Sequence, residues 1–337
     1  MKMAAFNIRK LGWRKVKNKV VLRYLIKIVS RYSVVLILEV VDKTGAAMQW
    51  FLQELNRTQA NKQHPYSMAR SSRLGRDNYK EQFVFLYREN EVQLTDCYQY
   101  EDNQPGDEDA FSREPYILRF SCQMTVVDDL VLIPVHTKPE DSEKELDELD
   151  DVVQAIRKKW RTDNIMILGD FNADGCYISK RKMGEIRIRS DVNYHWLIGD
   201  DVDTTACNCN DHTYDRIVLY GETMLKAVIP SSAKPFNFQK AFHLTDDMAL
   251  SISDHYPVEV MLRSNAPKKT GVQRPIQKRR PPNPSKKRGA SGAGNKHVSG
   301  PVKKKDVPTP QRKAALGGPF QTDVPGPKKK RGPLKKK

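Results

Sequence analysis

Short apolar runs recur along the first 262 residues and predict strands at Ser33–Val40, Gln82–Arg88, Leu130–His136, Ile165–Leu168, Tyr214–Tyr220 and Tyr256–Leu262, each rich in Val, Ile, Leu or aromatics. A further strand-like run, Met3-Ala4-Ala5-Phe6-Asn7-Ile8, opens the chain. Between these runs the period changes. Val16, Val20, Tyr24 and Ile28 recur at four-residue spacing, while Leu146, Leu149, Val153, Ile156 and Trp160 alternate steps of three and four, so both stretches predict amphipathic helices over the sheet faces. Strands and helices interleaved over about 260 residues, with some strands joined by short turns, predict an α/β sandwich of two packed sheets.

The pattern stops at Ser264. From there Pro, Gly, Ser and Lys dominate, too few large apolar residues remain to offset the entropy of ordering, and a disordered tail over 265–337 is expected behind one domain over 1–264. Charge divides at the same place: 22 Lys and Arg stand against 2 Asp after residue 264, and 36 against 39 Asp and Glu before it. The basic character therefore belongs to the tail. Its clusters, such as Lys278-Arg279-Arg280 and Lys328-Lys329-Lys330-Arg331, suit nucleic acid, and Pro327–Pro333 reads as a nuclear localisation signal for an import receptor. A generic solubilising polycation is the alternative. No run of 18 apolar residues could cross a bilayer as a helix, and the N-terminus lacks a secretory pattern, so the expected location is the nucleus; an apolar segment upstream of Met1 would redirect the chain to secretion. Five cysteines (Cys97, Cys122, Cys176, Cys207, Cys209) form no evident disulfide framework, and the Cys207/Cys209 spacing is poor for zinc.

Chemistry gathers at the strand ends. Ile165-Met166-Ile167-Leu168-Gly169-Asp170-Phe171-Asn172 ends in a carboxylate and a carboxamide two residues apart, which alternation would place on one side of an extended strand. Taken alone, the pair could simply open a turn. Ser253-Asp254-His255-Tyr256-Pro257 precedes the last strand, Pro134-Val135-His136-Thr137 ends another, Tyr214-Asp215-Arg216-Ile217 opens a third, Glu39 closes Val34–Leu38, and Tyr79-Lys80-Glu81-Gln82 starts a fifth. A lone loop histidine is usually structural. One chemically capable residue at the end of nearly every strand is not what independent turns produce.

Together with Ser112-Arg113-Glu114-Pro115, Trp196-Leu197-Ile198-Gly199-Asp200 and Asp203-Thr204-Thr205, these segments resemble, in order, the deoxyribonuclease I family over residues 3–262; Ser71-Ser72-Arg73-Leu74-Gly75-Arg76 and the basic C-terminus look most like its gamma-type branch. The resemblance implies a four-layer sandwich, two mixed β-sheets face to face with helices outside, and an active site at one edge. It implies a monomeric endonuclease that cuts double-stranded DNA with little sequence preference, leaving 5′-phosphate and 3′-hydroxyl ends. His255, oriented by Asp215, is the expected general base, and His136, paired with Glu81, the expected general acid. Glu39, Asp170 and Asp254 are expected to hold Mg2+ (or Mn2+), Asp203 and Thr205 a structural Ca2+, and Asn7, Tyr79, Arg113 and Asn172 to contact substrate. A phosphodiester anion resists nucleophiles, so charge neutralisation and two proton transfers are the chemistry such a site must supply.

The chain departs from that family at three places. His212 stands where a disulfide cysteine is usual, Val41 where a basic minor-groove residue is usual, and Asp174 or Gly175 is an extra residue. Cys176 is then expected as a free thiol, or paired with Cys209. The alternatives kept open are an apurinic-site endonuclease, a phosphatase of the same superfamily, and a catalytically silent DNA-binding protein.

Overall fold

The computed structural model describes residues 1–102, 109–175, 177–207 and 211–265. Met1–Lys268 forms one unit; the second, Lys269–Lys337, lies outside the described residues, as does the expected tail conformation. The described strands are β1 (Lys2–Leu11), β2 (Val34–Val40), β3 (Tyr66–Arg70), β4 (Gln82–Arg88), β5 (Gln93–Gln99), β6 (Tyr116–Ser121), β7 (Asp129–His136), β8 (Ile165–Asp170), β9 (Tyr194–Trp196), β10 (Asp215–Tyr220), β11 (Lys234–Pro235) and β12 (Val258–Met261). The helices are α1 (Trp13–Val16), α2 (Lys19–Val29), α3 (Ala46–Arg57), α4 (Ser142–Trp160), α5 (Lys180–Glu185), α6 (Arg187–Ser190), α7 (Glu222–Ala227), α8 (Phe238–Phe242) and α9 (Asp246–Ile252). One sheet runs β11-β12-β1-β2-β4-β3 and the other β5-β6-β7-β8-β10-β9, each of mixed direction.

Alternation along the strands builds the layers. Met3, Ala5, Leu36, Phe83 and Phe85 from the first sheet meet Leu118, Phe120, Leu132, Met166 and Leu168 from the second. The intervening residues face outward: Phe6, Val35, Ile37 and Val84 pack under α2 and α3, whereas Val131, Ile133, Ile165 and Ile167 pack under α4 through Leu146, Leu149, Val153 and Ile156. The result is the four-layer sandwich. The first helical stretch is broken, however: Asn18 accepts the amides of Val20 and Val21 at 3.0 and 3.2 Å and starts α2 afresh, leaving Val20 46% exposed and off the apolar stripe.

Strand direction decides where the site forms. β1 and β2 are parallel and so are β7 and β8, while β4 runs antiparallel to β2 and β10 to β8. The ends of β2, β7 and β8 therefore share an edge with the starts of β4 and β10. In register, His136 lies opposite Asp170, and Asp170 opposite Asp215.

Candidate active site

Two histidines face one carboxylate. His255 Nδ1 is 2.8 Å from Asp215 Oδ2, and its Nε2 is 3.8 Å from Asp170 Oδ2. His136 Nδ1 is hydrogen-bonded to Glu81 Oε1, and its Nε2 is 3.7 Å from the same Asp170 oxygen. Both Nε2 atoms thus point at one centre, which is the geometry two opposed proton transfers need.

Electrostatics follow from burial and neighbours. Burial opposes charge on Asp170, but His255, His136 and Asn7 outweigh it and hold the carboxyl below its ordinary range. Burial pushes Asp215 up to about 6. Burial also disfavours the His255 cation, yet Asp215 and Asp170 overcome this and raise it to about 10. His136 is likewise raised: Glu81 overcomes burial and the opposing charge of Arg113.

Asn7 and Glu39 complete the floor. Asn7 Nδ2 donates to Asp170 Oδ2 at 3.0 Å and to Glu39 Oε1 at 3.2 Å, bringing two carboxylates around one amide. Glu39 sits at φ 55°, a left-handed conformation costly for a side-chain-bearing residue, where the β2 register shifts between Ile37 and Val40. Its Oε2 accepts the Lys10 amide at 3.0 Å and the Tyr79 hydroxyl at 3.4 Å. Tyr79 is 43% exposed, open to a ligand. Arg113 Nε lies 2.5 Å from Glu81 Oε1 as an ion pair without hydrogen-bond alignment, and its Nη1 donates to His136 O at 3.1 Å. Gly169, at φ 144°, is obligatory: a Cβ there would meet Val135 O at 2.0 Å.

Other expected residues are placed differently. β8 ends at Asp170 and Asn172 adopts φ 46°, so simple alternation does not bring Asn172 to the site. A turn does: Asn172 N donates to Asp170 Oδ1 at 3.1 Å and its side chain to Thr137 O at 3.0 Å. Asp254 pairs with Arg9 at 2.9 Å. Asp203 Oδ1 accepts Thr205 N and Oγ1 at 2.8 and 2.7 Å, a turn beside the Thr205–His255 bridge. Arg9 and Ser253 were missed as site residues. Arg9 is a cation two positions after Asn7, a signal that was available; Ser253, whose Oγ donates to Asn7 O at 2.6 Å and accepts His255 N at 3.2 Å, gave none beyond adjacency.

Hard oxygen donors fit a divalent cation here. Asn7 Oδ1 and Asp215 Oδ1 are buried without a hydrogen-bond partner, beside the carboxylates of Glu39 and Asp170. Among the described residues, Asp170, Asp215 and His255 also bring one ligand atom each within 4.8 Å of one another. Since Asp215 is held by His255, Glu39, Asp170 and Asn7 are the better set.

Two of the family departures are neighbours. Asp174 Oδ2 lies 3.5 Å from His212 Nδ1, and a Cβ on Gly175 would meet the His212 ring at 3.0 Å. Cys207 is disulfide-bonded, which corrects the expectation of no disulfide framework; Cys97 and Cys122 are free, and Cys176 and Cys209 lie outside the described residues.

Residues 4–255 match the Endonuclease/Exonuclease/phosphatase family, and the chain belongs to that family. Among solved structures, the human Nocturnin catalytic domain shares the fold at a TM-score of 0.52, with 14% identity over 78% of this chain and 94% of that one. Humanized D. rerio TDP2 gives 0.51, with 14% identity over 77% and 97%. Deoxyribonuclease gamma of Homo sapiens is 41% identical over 265 residues, 79% of this chain and 87% of its own length. Deoxyribonuclease-1 of Bos taurus is 43% identical over 263 residues, 78% and 92% respectively. At that similarity the chain is a member of the deoxyribonuclease I family.

Proposed function

We propose that this chain is a metal-dependent endonuclease that hydrolyses DNA phosphodiester bonds. The observation that carries the reading is the convergence of His136 Nε2 and His255 Nε2 on Asp170 Oδ2, each imidazole backed by its own carboxylate. His255, oriented by Asp215, takes the proton from the attacking water; His136, oriented by Glu81, gives one to the leaving 3′-oxygen. Glu39, Asp170 and Asn7 would hold Mg2+ or Mn2+, which when bound supplies positive charge against the phosphate and against the acidic surplus that keeps His255 protonated. Tyr79 and Arg113 contact the DNA backbone, which suits little sequence preference, while departure of the 3′-oxygen with the proton from His136 leaves 5′-phosphate and 3′-hydroxyl ends. Asp254 supports the centre through Arg9, and the Asp203–Thr205 turn is the calcium loop.

The test is plasmid cleavage with and without chelator: nicking followed by fragmentation in Mg2+ or Mn2+ with Ca2+, and none in chelator, is expected. Binding without cleavage in any metal would leave a silent DNA-binding protein instead. The basic tail, on this reading, supplies affinity and a nuclear address. Truncation at Ser264 should leave cleavage of short DNA at low salt nearly unchanged while flattening the salt dependence of binding to long DNA, because each phosphate neutralised contributes about −0.9 to the log–log slope. An unchanged slope, with a tail-fused reporter left in the cytoplasm, would remove both roles from the tail.

A further inference from the structure

One buried residue joins the two halves of the His255–Asp215 pair. Asp215 opens β10, and because Phe171 N donates to Tyr214 O at 2.8 Å across the ladder with β8, the next amide along β10, that of Asp215, points to the other edge of the strand. β9 covers that edge only from Val218 to Tyr220. Thr204 takes up the amide instead: its Oγ1 accepts the backbone N–H of Asp215 at 3.2 Å and that of Tyr214 at 3.0 Å, and donates to His212 O at 3.1 Å. One donor and two acceptor sites are all that a hydroxyl has, and each is used. The backbone of the same residue meets the other half of the pair. Thr204 O accepts Tyr256 N at 2.7 Å, Ala206 N donates to Asp254 O at 2.7 Å, and Thr205 bridges His255, so residues 204–206 run antiparallel to 254–256.

We infer that Thr204 is a positioning residue for the general base: its hydroxyl fixes Asp215 through the backbone, its carbonyl fixes the segment bearing His255, and the two together set the 2.8 Å contact between carboxylate and imidazole. Thr204 has no accessible surface, so it acts through the pair and not on the substrate. The other pair is held by different parts. Glu81 is fixed by its bridge to Leu74, and His136 by the end of β7.

Threonine suits this place because its branched Cβ restricts the rotamers open to the hydroxyl. Without the hydroxyl, two amides at the start of β10 lose their acceptor, and Asp215 is free to shift relative to the segment 254–256. The imidazole would turn with it. Small displacements of a proton-transfer group are enough to slow a reaction that depends on alignment.

The consequence for turnover rests on the nuclease reading above; the tie itself does not. Thr204→Val keeps the shape of the side chain but removes the acceptor, whereas Thr204→Ser keeps the hydroxyl. On short duplex DNA, Thr204→Val should lower kcat about tenfold with KM nearly unchanged, and Thr204→Ser should retain most of the parent rate. The loss should shrink to about twofold or less in an Asp215→Asn background and persist in full in Glu81→Gln, because Thr204 acts through one pair only. In chelator, the NMR signal of the His255 Nδ1 proton should shift in Thr204→Val and stay in place in Thr204→Ser, with the His136 signal unmoved in both. Parent-like turnover in Thr204→Val, an equal loss in the two backgrounds, a loss as large in Thr204→Ser, or a His255 signal that stays put or moves only together with that of His136 would overturn the proposal. If Thr204→Val does not fold, Thr204→Ala, which leaves room for a water at the two amides, is read in its place; failure of both to fold would make the hydroxyl a requirement of the fold and overturn the positioning role. If the parent protein cleaves no DNA, the nuclease reading falls and the histidine signals alone decide the tie.

Discussion

The two histidine pairs use the same parts and differ in what stands beside the carboxylate. Glu81 is shared between His136 and Arg113; burial works against its charge, but those two cations hold it below the ordinary carboxylate range. Asp215 meets Asp170 rather than an arginine, and burial pushes it up to about 6. The imidazoles answer in kind. Arg113 works against the proton on His136, whereas Asp215, Asp170 and Asp254 all favour the one on His255 and take it to about 10. Strand register sets where the rings sit, and neighbouring charge sets how firmly each keeps its proton. A ring beside a fixed cation suits proton donation, and a ring in an acidic pocket becomes a base only once that surplus is neutralised.

The harshest break is to remove a ring. His255→Ala and His136→Ala should each lower turnover by about 10²-fold or more, with folding intact, as general acid and base groups do. Plasmid nicking under saturating metal reads this directly, and near-parental activity in either variant would remove that ring from the reaction. A milder break touches the shared floor. Glu39→Gln keeps the size of the side chain but weakens a hard-oxygen ligand, so the rate should fall roughly tenfold and the metal titration should move to higher concentration. A titration curve that stays in place would make Glu39 structural.

Much of this comparison was readable before the fold was known. Gln82–Arg88 was bounded by the same residues in sequence and structure, and β7, β8 and β10 were placed within two residues, because strands buried on both faces are continuous apolar runs. β5 was not seen: its mostly exposed pattern, Gln93-Leu94-Thr95-Asp96-Cys97-Tyr98-Gln99, is that of an edge strand with little apolar signal. β3 at the other edge escaped for the same reason. At the site, the residue types at strand ends were legible in the pattern itself, whereas their pairing, His255 with Asp215 and His136 with Glu81, came only with the family resemblance and is what the structure shows. His136 and Glu81 are 55 residues apart and His255 and Asp215 are 40 apart, so only strand order and direction bring them together. Left-handed Glu39 was illegible for another reason: glutamate does not announce a positive φ, which the surrounding bulge imposes, whereas Asn172 is of a type that adopts it readily.

The finest test of the difference between the pairs is the dependence of stability on pH, measured as urea midpoints in chelator from pH 6 to 10. His255 has a folded value of about 10 against an ordinary 6.5, so its contribution is full below the unfolded value and is lost as pH rises through the folded one. Asp215 moves the other way, its cost appearing as pH climbs from the ordinary 3.8 to about 6, so it is finished before the His255 window opens. The parent should therefore lose stability across that window, on the order of a few kcal/mol. His255→Asn should flatten the decline. His136→Asn should leave most of it in place, because Arg113 already opposes the proton on that ring. Equal flattening by the two substitutions would mean that Arg113 does not distinguish the pairs, and the acid and base assignments would then need a source other than neighbouring charge.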